Sequence, residues 1–202
     1  ITLAFVVLGI VLYNGFAKHV PALAFVTIGL LHGAHMAIPN HRFGFTLPIW
    51  LSMSHAMAIA LLVHRFEEKR PAITPLAVAV TGMGWIFWST TVLTWGWWHT
   101  GGSWPLDTPI WPGVLWPIAA VAGFVVVAYA KTRRVDGPAA SEKLRRYGAM
   151  WQSLYTVAWF AAMGLWKQAL MLGGVATGGF VVMTALKELT ALSSVPVRYR
   201  ET

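Results

Sequence analysis

Charge is confined to a few short stretches of this chain, and the long apolar runs between them leave few folds open. Of 202 residues, 15 are Lys or Arg and 7 are Asp or Glu, so only 11% are charged. A soluble domain carries about a quarter. With 57% hydrophobic residues and a mean hydropathy of +0.61, the chain cannot keep a surface of its own in water. A water-soluble enzyme is thereby excluded. The lipid bilayer becomes its first partner, and the net charge of +8 reads as membrane topology, with no nucleic acid partner implied. There are no cysteines, which excludes disulfides, zinc–thiolate sites and iron–sulfur clusters.

A hydrocarbon core of about 30 Å needs about 20 apolar residues per helix. Such runs lie at 1–17, 21–39, 46–64, 75–98, 113–130, 151–166 and 168–189. The expected fold class is therefore all-α: a polytopic membrane helix bundle of about seven transmembrane helices, in a single integral membrane domain over residues 1–202. The one long polar stretch, 131–147, reads as a basic cytoplasmic loop. The first run opens at Ile1 without Met, so sequence ahead of it is expected to be missing or removed.

The basic residues orient these spans. With 131–147 in the cytoplasm, thirteen of the fifteen Lys and Arg fall inside, and only Arg42 and Lys167 fall outside. That split predicts an outer N-terminus, a cytoplasmic C-terminus and a bacterial-type inner membrane. Trp95, Trp97, Trp98, Trp104, Trp111 and Trp116 bracket an outer loop, where indoles favour the headgroup boundary. Gly174 and Gly178 form a GxxxG pattern that predicts a close helix contact.

Polar groups inside a bilayer are costly, so those present are informative. Six of the seven acids lie outside the apolar runs, and Glu188 stands beside Lys187 at the inner end of the last. A carboxylate proton relay is not expected. Histidine is the exception. His32 and His35 lie on the second run and His55 on the third, each six to nine residues from the turn between them. At 1.5 Å per residue they share a depth of about 10–14 Å below the outer surface. His41 stands at the turn, and His99 with Asp107 stands at the next outer loop. Neutral imidazole binds Ni, Co, Cu, Zn or haem iron without bringing charge into lipid. Its commoner role is a hydrogen bond to a hydroxyl or backbone group.

The stretch Gly29-Leu-Leu-His-Gly-Ala-His35-Met-Ala-Ile-Pro39-Asn40-His41 resembles the signature of the nickel/cobalt permeases, in which a helix His is followed after four residues by an Asp-His pair. Ser52-Met-Ser-His55 stands where that family carries a Ser-Leu-Gly-His type segment. The resemblance spans about 25 residues. It implies His35, His41 and His55 as metal ligands and position 40 as the fourth. Asn40 stands there in place of the family's Asp, which removes an anion that would help strip water from a cation.

Three functions follow as expectations. One is a transition-metal permease or metal-binding membrane protein, with His35, His55, His32 and His41 as ligands and His99 and Asp107 at the outer mouth. The second is an electron-transfer subunit holding haem b or a related tetrapyrrole between His32 or His35 and His55, with Arg42 toward the propionates. The third is a helical subunit that joins other membrane subunits and whose histidines only hydrogen-bond.

Overall fold

The computed structural model describes residues 2–40, 45–105 and 108–193. His41, Arg42 and Asp107, expected at the metal site, the haem propionates and the outer mouth, lie outside the described residues. The fold is helical, with no strand among the described residues. Its elements are α1 (Thr2–Gly15), α2 (Pro21–Asn40), α3 (Leu47–Phe66), α4 (Pro75–Thr100), the single turn α5 (Ile110–Gly113), α6 (Leu115–Thr132), α7 (Gly137–Ala162) and α8 (Trp166–Ser193). A 3-10 turn, Ala17–His19, separates α1 from α2.

Local chemistry sets these boundaries. Thr74 caps α4, its hydroxyl accepting from Ala77 N–H at 3.1 Å, and Pro75 follows where a missing N–H costs nothing. Gly101, at φ 75°, closes α4 in the left-handed conformation that glycine adopts without strain.

Five segments are long and apolar enough to cross a membrane: Pro21–Ile38, Leu47–Phe66, Pro75–His99, Ile110–Thr132 and Trp166–Leu189. The outward faces of the last three carry Val78, Phe87, Val125, Val126, Leu170, Val175 and Met183, all exposed. Such surface is stable only against lipid or other protein. The chain is therefore an integral membrane protein. Two of the seven expected spans differ. The first, Leu3–Gly15, is apolar but short. The sixth, expected at 151–166, is the second half of α7. That helix begins at Gly137 and ends at Ala162, before Gly164 at φ 72°.

The basic stretch 131–147 is thus not a loop through most of its length. Ala140, Ser141, Leu144, Gly148, Trp151 and Tyr155 recur at helical spacing and are buried, so one face of α7 is continuous across its charged and apolar halves. Its charged half has little apolar length, and burial among neighbours makes up for it.

The helices form two groups. One has α2 at its centre, against α1, α3 and α4; the other has α7 at its centre, against α6 and α8. Among the described residues, α3 and α7 join them. The close approach of α2 to α3 runs through Gly29 and Gly33. A Cβ at Gly29 would overlap the Met57 side chain and lie 3.1 Å from the Met53 carbonyl oxygen; one at Gly33 would lie 3.3 Å from Met53 Cβ. This is the small-residue helix contact, one pattern away from where the sequence suggested it. Gly174 and Gly178 have nothing within 4 Å of an added Cβ, so they make no such contact among the described residues.

Candidate functional site

The α3–α7 seam is polar along its length. Near its middle, the Ser52 hydroxyl donates to Gln152 Oε1 at 2.8 Å, and Gln152 Nε2 lies 3.4 Å from the Ser52 carbonyl. One turn further along α3, His55 is only 6% exposed. Its Nε2 lies 3.0 Å from the Gly148 carbonyl oxygen, which can only accept, so Nε2 carries the proton. Nδ1 then accepts from the Tyr155 hydroxyl at 3.0 Å. The ring sits edge-on between Phe124, at 4.5 Å between centroids, and Tyr155, at 5.1 Å. Both nitrogens of this neutral imidazole are engaged.

At the end of the seam, Glu67 joins α3 to α7 a second time. Ser141 donates to its Oε1 at 2.6 Å, Arg145 pairs with the same oxygen, and Lys69 lies 2.8 Å from Oε2. Burial pushes the Glu67 carboxyl up, but hydrogen bonds from Lys69, Ser141 and Arg145 outweigh it and hold the group at about 2.

A cavity of about 660 Å³ opens beside this seam, among α2, α3, α7 and the α1–α2 turn. His32 and His55 both line it. Lys18, His19, His64, Lys69 and Arg145 line it too, each at or near the helix ends that carry most of the basic residues. Phe25, Ile28, Ala56, Ile59 and Val63 make its walls apolar.

The expected histidine group is therefore divided. His32 and His55 share one cavity from consecutive helices. His35 is exposed on α2 and is not among the residues lining that cavity. Among the described residues, no group of three or more His, Asp or Glu side chains is placed to hold a metal ion. His99, expected at the outer mouth, folds back on its own helix: its ring stacks on Trp95 at 3.9 Å, and Nδ1 bonds the Trp95 carbonyl at 3.1 Å. The tryptophans behave as a boundary cluster in part. Trp95, Trp97, Trp98 and Trp111 are exposed, while Trp104 turns inward against Trp159 at 5.4 Å.

The partners of His55 are Gly148 and Tyr155, 93 and 100 residues away in sequence. The available signal was the polar cluster Gln152, Ser153, Tyr155 and Thr156 at the start of the apolar run 151–166. It marks α7 as the helix that faces a polar partner, without saying which. In comparisons with protein families, with curated proteins and with solved structures, the chain matches none.

Proposed function

We propose that this membrane protein is a permease or binding protein for a transition-metal ion (Ni, Co, Cu or Zn) held by imidazoles of the α2–α3 hairpin. The basic end of its helices lies in the cytoplasm, the N-terminus outside, and the membrane is of the bacterial inner type. The observation that carries this reading is that His32 and His55, from consecutive helices, line one cavity. The motif resemblance supports it independently, by picking out the same hairpin. His35 lies further toward the C-terminal end of α2, so the ion's route runs from it past His32 and His55 to the basic end of the cavity. His55 Nδ1 becomes a ligand when the Tyr155 side chain swings aside, since its oxygen, 3.0 Å from Nδ1, occupies the direction in which a metal at about 2 Å would bind. A haem is less well served, because Phe124 and Tyr155 pack edge-on against the His55 ring and leave no room there for a macrocycle.

The test is titration of Ni²⁺, Co²⁺, Cu²⁺ and Zn²⁺ into purified protein, with uptake measured in vesicles. His32→Ala and His55→Ala should each lose binding and transport. Unchanged uptake in both ends this reading. An absorption spectrum of protein from its native membrane tests haem at the same time, a Soret band being the positive sign.

A second reading is favoured by the engagement of both His55 nitrogens and by the uncovered apolar faces of α4, α6 and α8. Here the chain is a helical subunit of a larger membrane assembly, and its histidines only hydrogen-bond. Co-purification of other subunits, with no metal bound, would select it.

A further inference from the structure

The cavity beside the α3–α7 seam has a chemistry that metal binding does not use. Its mouth gathers Lys18 and His19 from the α1–α2 turn, His64 and Lys69 from the end of α3, and Arg145 from α7. Among the described residues, no carboxylate lines it. Glu67, bonded to Lys69 and Arg145, offsets one of these three cations, leaving a net charge of +2 among Lys18, Lys69, Arg145 and Glu67. Below the rim the walls are apolar, and from Val63 to Ala56 on α3 they extend about 10 Å at 1.5 Å per residue.

A cationic ring above an apolar slot between membrane helices is complementary to one kind of molecule that the bilayer supplies in abundance. We infer that this vestibule binds an anionic phospholipid, its phosphate held among Lys18, Lys69 and Arg145 and part of an acyl chain lying against Ile28, Ile59 and Ala60. Basic pockets between helices on the cytoplasmic side bind such headgroups by the same combination of charge and apolar burial. A zwitterionic lipid lacks the net charge the rim selects. A free phosphate lacks the chain that the walls exclude from water. The inference stands on the charge and shape of the vestibule and does not depend on metal binding. If both hold, the phosphate also supplies negative charge that the ion's route otherwise lacks.

The experiment uses the full chain, delipidated in detergent, with native mass spectrometry and thermal unfolding as readouts. Phosphatidylglycerol should be retained as about one molecule per chain and should raise the unfolding temperature. Phosphatidylcholine with the same acyl chains should do neither. Lys18→Gln, at an exposed position, should weaken retention about fivefold. Ala60→Phe, which fills the slot and leaves every cation in place, should also weaken it. Should Ala60→Phe fail to fold, Lys18→Gln and the lipid comparison decide. Equal retention of the two lipids overturns the inference, as does unaltered phosphatidylglycerol binding in Lys18→Gln. Inorganic phosphate alone producing the full stabilisation would also overturn it, in favour of a free-anion site.

Discussion

Replacing Tyr155 by Phe removes one oxygen from the α3–α7 seam and little else. The ring remains, so its edge-to-face contact with His55 at 5.1 Å is kept and no cavity opens. What is lost is the donor to His55 Nδ1 at 3.0 Å. Nε2 still donates to the Gly148 carbonyl, so the tautomer cannot reverse to repair the loss. A buried acceptor left unpaired costs about 1–3 kcal/mol in soluble proteins. Hydrogen bonds between membrane helices average about 0.6 kcal/mol and reach about 1.7. Tyr155→Phe should therefore destabilise the fold by about 1 kcal/mol, roughly a fivefold shift in the unfolding equilibrium. Reversible unfolding in mixed micelles measures it, and the ¹⁵N resonance of His55 Nδ1 should move at the same time. Unchanged stability together with an unmoved Nδ1 resonance would refute the bond and the tautomer deduced from it. On the metal reading the same variant uncovers the ligand atom, so Ni²⁺ should bind at least as tightly as before; weaker binding would refute the idea that Tyr155 only covers Nδ1.

Acid should weaken the other α3–α7 link. Glu67 is held at about 2 against an ordinary value of 4.5, so its stabilisation is fully present above about pH 4.5 and fades as pH falls toward 2. The unfolding temperatures of the parent chain and Glu67→Gln, compared from pH 6 to pH 2, should converge on acidification; a constant gap would contradict the assignment. Gly33→Leu should separate α2 from α3 at a cost of about 1–3 kcal/mol, while Gly178→Leu, facing open space, should stay within about 0.5 kcal/mol of the parent in thermal unfolding. Because the chain has no cysteine, single substitutions such as Arg70→Cys and Arg134→Cys report topology cleanly with an impermeant thiol reagent. Both should react only from the cytoplasmic face, and Ser103→Cys only from the outer face.

Much of this architecture is legible in the residues because solvent chemistry dictates it. Runs such as 75–98 and 113–130 can be satisfied only as helices in lipid, since no other single segment pairs its own backbone groups there. Alternation of the basic ends follows from short connections between antiparallel helices, and Lys18, Lys69 and Arg145 do meet at one cavity. The limits of α7 are less legible. A search for apolar runs starts at Trp151, but Ser141 and Leu144 are buried by α7's neighbours, which a hydropathy reading along one chain cannot register. The GxxxG that matters is Gly29–Gly33 for a related reason: both glycine pairs look alike in sequence, and only the position of Met53 and Met57 across the interface separates them.

His55 marks the same division at the candidate site. Its distance from the α2–α3 turn follows from counting along the chain, and the sequence alone determines that. Which atoms its nitrogens meet does not follow, because Gly148 and Tyr155 come from a helix about 100 residues away and reach His55 only when α3 and α7 pack. Membrane insertion, helix content and the map of charge are properties of each segment against its solvent, so the chain carries them locally. The tautomer of His55, the seam that joins the two helix groups and the vestibule beside it depend on which helices become neighbours, and only the tertiary structure decides that.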